Sequence, residues 1–135
     1  CEADKNTSKK LCDEILTNAE DFLKTLDLPY RVLRYCTGDL GAKAYRAVDL
    51  ETWMPSRAGY GETQTCSEIL DYQTRRLRIQ YRANEKKTFA YSLNNTLVAS
   101  PRILIPLLEI NQQPDGSVAI PKVLQPYLHG QERIV

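Results

Sequence analysis

Tyr91 to Asn111 reads YSLNNTLVASPRILIPLLEIN, and the way this stretch changes character along its length decides the fold. Thr88 to Leu93 mixes aromatic and β-branched residues with no breaker, which predicts a strand. Asn94, Asn95 and Thr96 carry short polar side chains that bond to nearby backbone, which predicts a turn. Ser100 is then a candidate N-cap, with Pro101 at the first helical position, where its missing N–H costs nothing. Ile103, Leu104, Ile105, Leu107, Leu108 and Ile110 form an apolar surface too wide for an exposed helix, so a buried helix is expected. Pro106 removes the N–H that would bond the Arg102 carbonyl and predicts a kink just after the arginine.

Arg102 is the odd residue. A cation in the first turn faces the positive end of the helix dipole, a cost of a few tenths to about 1 kcal/mol. Two readings stay open. The arginine either clamps an anion at the helix N-terminus or bends away to a nearby carboxylate.

Working outward, Leu11, Ile15, Leu16, Ala19, Phe22, Leu23 and Leu26 form a helical stripe, capped by Thr7 or Ser8 and ended by Pro29. Tyr30 to Cys36 reads as a strand, Thr37 to Gly41 as a turn, and Ala44 to Met54 as a second strand stopped by Pro55. Asp49 and Glu51 share one face of it with Trp53 and look like a solvated edge. Arg57 to Gly61 reads as a loop, Glu62 to Cys66 as a short strand, and Asp71 to Arg76 as a brief helical turn. Leu77 to Arg82 alternates as a half-exposed strand and returns through Asn84–Lys87 as a hairpin. Beyond the long helix, Pro114-Asp115-Gly116 is a turn, and Pro121 starts a short helix that Pro126 closes. Strands in a run with helices set apart predict an α+β fold, an antiparallel sheet flanked by helices.

Composition narrows the function. There are 18 basic and 17 acidic residues, so no global field points to nucleic acid. No apolar run is long enough to span a membrane, the longest being broken by Pro106. CEADKNTSKK is neither a signal peptide nor an arginine-rich transit peptide, and its lack of an initiator methionine suggests a fragment or a processed chain. Cys1, Cys12, Cys36 and Cys66 show no C-x-x-C spacing, which indicates neither a zinc knuckle nor a redox pair but ordinary thiols in a reducing compartment. With His129 the only histidine, chemistry must rest on carboxylates, hydroxyls, amides and arginines.

LNNTLVASPRILIPLLE followed by NQQPDGSVAIPKVLQPYL resembles the third motif and C-terminal tail of seryl-tRNA synthetases, class II aminoacyl-tRNA synthetases. LPYRVL, CTGDLG, AYRAVDLETWMP and GETQTCSEILDYQTRR resemble the same family in the same order, so the likeness runs from Leu26 to Tyr127. AYRAVDLETWMP and NQQPDGSV look most like mitochondrial members, which implies the mitochondrial matrix, with a bacterial-type cytoplasmic enzyme as the alternative.

The resemblance implies that serine is activated with ATP and Mg²⁺ to seryl-adenylate and then transferred to tRNA(Ser). Arg102 matches the third-motif arginine and would hold the γ-phosphate end of ATP; Glu62 matches the glutamate that binds Mg²⁺ and the phosphates. Thr65 stands where the family commonly has serine, keeping the second metal-binding oxygen and adding a methyl. Thr63 and Gln64 lie between them in the segment facing the nucleotide, and Asn94 and Thr96 match the residues lining the serine pocket. In a regular strand Glu62 and Thr65 would point to opposite faces, so both reach one metal only through a bulge or twist near Gln64. No counterpart is found to the family's tRNA-binding coiled-coil arm, its dimer-forming first motif or its second motif. The expectation is therefore the C-terminal part of a catalytic domain from a homodimeric enzyme, inactive alone and meeting tRNA through parts not present here. A non-catalytic synthetase-like paralogue and a plain nucleotide-binding module are the rival readings.

Overall fold

The computed structural model describes residues 4–135, so Cys1 lies outside the described residues. Helix α1 (Lys5–Thr25) begins one turn earlier than expected. Its N-cap is Asp4, whose carboxylate accepts from the N–H groups of Asn6 and Thr7 at 3.3 and 3.0 Å, and neither Thr7 nor Ser8 is the cap. At the other end Asp27 takes a positive φ of 55°. Its N–H bonds the Lys24 carbonyl at 3.0 Å and the Leu28 N–H bonds the Leu23 carbonyl at 3.1 Å, so the helix stops before Pro29 can act.

Strands β1 (Tyr30–Arg34), β2 (Arg46–Met54), β3 (Gly59–Leu70) and, later, β6 (Ser92–Asn95) make one antiparallel sheet in the order β1-β2-β3-β6. The strand expected over Glu62–Cys66 is thus more than twice as long as read, because the expected Arg57–Gly61 loop is only the end of a 3-10 turn over Pro55–Arg57, with the strand beginning at Gly59, one residue after it. β2 is a central strand, which corrects the solvated-edge reading of Asp49: that carboxylate is only 4% exposed.

Helix α2 (Tyr72–Leu77) leads to a separate two-stranded ribbon, β4 (Gln80–Ala83) with β5 (Lys86–Phe89). The strand read over Thr88–Leu93 is in fact two strands in two sheets. Ala90 divides them: it is buried, its N–H bonds the Ile79 carbonyl, and its own carbonyl accepts the Thr74 hydroxyl at 2.5 Å. Pinned to the α2 segment, the chain must turn there. Asn94 and Asn95, expected in a turn, instead pair with Ser67 and Cys66 as the end of β6.

Helix α3 (Ser100–Asn111) has Ala99 as its N-cap, with Ser100 inside the helix and no side-chain cap bond. The Ala99 carbonyl accepts from Arg102 and Ile103. The helix runs through Pro106 without a break. Only Ile103 and Pro106 are buried, whereas Leu104, Ile105 and Leu108 are 48%, 41% and 41% exposed, so the expectation of a wholly buried helix is corrected. One stripe of α3 joins α1 and β2 in a core of Ala19, Leu23, Leu26, Leu28, Leu50 and Ile103; the rest of its apolar surface faces out. The Pro114–Gly116 turn forms as read, with Gly116 at φ +85°. It is followed by a small ribbon of β7 (Val118–Ala119) and β8 (Arg133–Ile134) that the sequence did not suggest. Pro126 lies inside the 3-10 turn Gln125–Leu128 and does not end it. Among the described residues no helix is long and apolar enough to cross a membrane.

Candidate active site

The site depends on one register shift. Along β2 and β3 the partners are Asp49 with Thr65, then Leu50 with Gln64, then Glu51 with Glu62, leaving Thr63 as an extra residue. This is the bulge that the spacing of Glu62 and Thr65 demands. Asp49 and Glu51 share one face of β2, so their partners Thr65 and Glu62 come to that same face. Thr63 and Gln64 turn the other way. The Thr63 hydroxyl is fully buried, 2.8 Å from the Thr52 hydroxyl and donating to the Leu50 carbonyl at 3.1 Å; Gln64 Nε2 donates to the Leu97 carbonyl at 2.5 Å. Of the segment expected to face a nucleotide, only the Glu62 and Thr65 side chains share the open face; Thr63 and Gln64 have backbone to offer.

Two side chains meet Glu62, those of Arg102 and Thr65. Arg102 Nη1 lies 2.6 Å from Glu62 Oε1, so the arginine does bend to a carboxylate, and that carboxylate is the other residue singled out for phosphate and metal. The contact is possible because β6 covers only Cys66–Leu70 of β3, leaving the Gly59–Thr65 half with an open edge beside the start of α3. Thr65 Oγ1 stands 2.8 Å from Glu62 Oε1 and 2.7 Å from Asp49 Oδ1. A hydroxyl has one proton to give, so two carboxylate oxygens compete for it. Asp49 also accepts from the Tyr35 hydroxyl at 2.8 Å. Burial pushes the Asp49 carboxyl above its usual range, against the pull of the Thr65 and Tyr35 hydroxyls. The hydrogen bond to Asp49, with burial, pushes the Tyr35 phenol up to about 12.

This donor set suits a hard divalent cation. Among the described residues no group of three His, Cys, Asp or Glu could hold a metal. A cation here would therefore take one carboxylate and one hydroxyl, Glu62 and Thr65, with its other ligands coming from phosphate and water, as Mg²⁺ commonly does. A cleft of about 420 Å³ lies in front, lined among others by Glu51, Arg57, Tyr60, Glu62, Arg102 and Ile105. Arg57 is a second cation that the sequence reading missed. Asp49, Tyr35 and Asn95 were missed as well; Asn95 Nδ2 donates to the Thr65 carbonyl at 3.2 Å and ties β6 to the site strand. A carboxylate in a strand flanked by Ala47, Val48 and Leu50 was the available signal for Asp49. Asn94 and Thr96 are exposed, and Thr96 follows directly on the Asn95–Cys66 pair, so the chain leaves the sheet beside Thr65.

The family described as tRNA synthetase class II core domain (G, H, P, S and T) matches residues 1–111. The chain belongs to that family. Within this class II core it is similar to the serine–tRNA ligase of Deinococcus radiodurans, 50% identical over 98% of this chain and 31% of that protein. The serine–tRNA ligase of Rubrobacter xylanophilus is 48% identical over 94% of this chain and 30% of its own length. The class II core here thus spans about a third of the curated relatives it matches. Among solved structures, the seryl-tRNA synthetase of Pyrococcus horikoshii complexed with ATP superposes with a TM-score of 0.91 at 40% identity, covering 96% of this chain and 29% of that one. The cytoplasmic serine–tRNA ligase of Naegleria fowleri in complex with AMP gives 0.89 at 38% identity, covering 98% and 28%. The antiparallel sheet with its helices is the class II catalytic fold.

Proposed function

We propose that this chain is the third-motif part of the catalytic core of a serine–tRNA ligase, and that it holds the polyphosphate end of ATP. The observation that carries the reading is the convergence of Arg102, Glu62 and Thr65 on one face through the bulge at Thr63. Arg102 leaves Glu62 to grip the γ-phosphate, with Arg57 adding charge at the same cleft. Glu62 and Thr65 are the residues that would hold Mg²⁺, which would neutralise charge on the phosphate oxygens. The serine carboxylate attacks the α-phosphorus, the bond to the bridging oxygen breaks, and pyrophosphate leaves; the protein's part is alignment and charge stabilisation. Asn94 and Thr96 bond the small polar substrate, whose hydroxyl is best selected by partners that would otherwise go unsatisfied. Transfer to tRNA(Ser) follows. The reading also takes the working enzyme to be a homodimer, as the family resemblance implies, and places it in the mitochondrial matrix on the likeness of AYRAVDLETWMP and NQQPDGSV to mitochondrial members, a bacterial-type cytoplasmic enzyme being the alternative.

Serine-dependent ATP–pyrophosphate exchange by a full-length protein carrying this segment is the test. Exchange with serine and not with threonine or alanine supports the reading. ATP binding without any exchange would replace it with a non-catalytic paralogue.

A further inference from the structure

Behind the site strand, on the face opposite Thr65, two cysteines far apart in sequence come together. Cys12 from α1 and Cys66 from β3 have their sulfurs 3.4 Å apart, and both side chains are buried. Cys66 lies next to Thr65 in the strand that carries the candidate ligands, and its backbone pairs with Asn95. Nothing in the serine-activation chemistry uses either thiol. Cys36 is exposed and is not part of this pair.

We propose that Cys12 and Cys66 are a redox modification site, closing to a reversible disulfide between α1 and β3 when the protein meets hydrogen peroxide. The sulfurs are already in contact, and a disulfide bond of about 2.05 Å asks them to move together by little more than about 1 Å. The hydrogen bond from the Cys66 thiol, and then the Arg46 guanidinium beside Cys12, lower the Cys12 thiol below its ordinary range. Arg46 is fixed there by ion pairs to Asp13 at 2.9 Å and to the buried Glu68 at 3.4 Å. Asp13, Arg46 and Glu68 also line a hollow of about 710 Å³, which neither cysteine lines.

The chemistry balances with peroxide as the oxidant. The Cys12 thiolate attacks one peroxide oxygen, the O–O bond breaks, and the departing hydroxide takes a proton to become water, leaving a sulfenic acid. The Cys66 sulfur then attacks the Cys12 sulfur, the S–O bond breaks, and a second water leaves with the Cys66 proton. Two thiols have lost two hydrogens, and one peroxide has become two waters. A dithiol reductant reverses the bond.

The experiment uses the 135-residue chain with Cys1 and Cys36 replaced by serine. The reduced protein is treated with hydrogen peroxide, quenched with catalase, alkylated in denaturant, digested with trypsin and weighed. The expected product is peptide 11–24 joined to peptide 58–75, at a mass two hydrogens below the sum of the reduced pair. It should be absent after Cys12→Ser, be lost on adding dithiothreitol, and form at least about tenfold faster in the folded chain than in urea, since the fold holds the sulfurs together. Full alkylation of both cysteines after peroxide would overturn the proposal. So would single-cysteine sulfinic acids without the link, or equal linking in urea.

Discussion

The Arg102 guanidinium stands 2.6 Å from the Glu62 carboxylate, joining the start of α3 to the open edge of β3. Both side chains are substantially solvated, 52% and 38% exposed, so the pair adds no more than about 1 kcal/mol to the fold. A weak pair of this kind separates at little cost when a phosphate competes for the arginine and a cation for the carboxylate. Holding each other, the two groups stay in place with their charges neutralised.

Arg102→Ala should therefore leave stability nearly unchanged. In a full-length enzyme it should raise the barrier to adenylate formation by about 2–4 kcal/mol, the effect of losing one preorganised charge-stabilising donor. ATP–pyrophosphate exchange measures it. A variant within about threefold of the parent, less than about 1 kcal/mol, would remove the arginine from the phosphate role.

Glu62→Gln should abolish the Mg²⁺ dependence of ATP binding, because a hard divalent cation needs the anionic oxygen. Thr65→Ser keeps the hydroxyl between Asp49 and Glu62 and should be nearly silent. Titrating ATP into each variant with and without Mg²⁺ separates them. Retained metal dependence in Glu62→Gln would mean the cation sits elsewhere.

Asp49 supplies a pH signature. Its folded pKa is raised by burial above the ordinary value of 3.8, so its stabilising contribution is complete below that value and is lost as pH rises through the folded one. Asp49→Asn removes this titration. Urea midpoints at about pH 3 and about pH 6.5 should show the parent losing ground to the variant as pH rises. A gap independent of pH would show that Asp49 titrates normally.

The two sides of α3 should respond differently to truncation. Ile103→Ala empties a place in the core shared with Leu23 and Leu50 and should cost about 2–5 kcal/mol. Leu104→Ala, at a side chain 48% exposed, should change stability by no more than about 0.5 kcal/mol. Denaturant unfolding of the pair tests the half-buried helix directly, and equal losses would contradict it.

The chain as given should also self-associate. Leu97, Val98, Leu104, Ile105 and Leu108 are exposed, and Leu97 and Ile105 lie beside the Gly59–Thr65 edge of β3 that lacks a β6 partner. An open strand edge beside an apolar surface is a template for association. Light scattering on residues 1–135 should give a mass well above a monomer; a stable monomer would show that the edge is harmless.

Sequence by itself determined what local chemistry controls. The Pro55 and Pro114–Gly116 breaks and the helix opening at Ser100-Pro101 are set by ring closure and side-chain size, and each is found within a residue or two; the α1 stripe is found from Ile15 to Leu26, in a helix that starts a turn earlier than read and leaves Leu11 46% exposed. It also singled out Arg102, Glu62 and Thr65 through a likeness to a known family, and it made a bulge necessary if the last two were to meet. What it could not supply was anything that depends on neighbours distant in the chain. The shift at Thr63 is fixed by pairing with β2, where the buried Thr52–Thr63 hydroxyl pair holds the extra residue inward. Asp49 is buried because two strands flank its own. Half of α3 stays exposed because only one of its sides meets the sheet, and Cys12 finds Cys66 only after α1 has packed across β3. Side-chain spacing along one element is a property of the backbone; which faces are covered, and which thiols and carboxylates touch, is settled only when the elements pack.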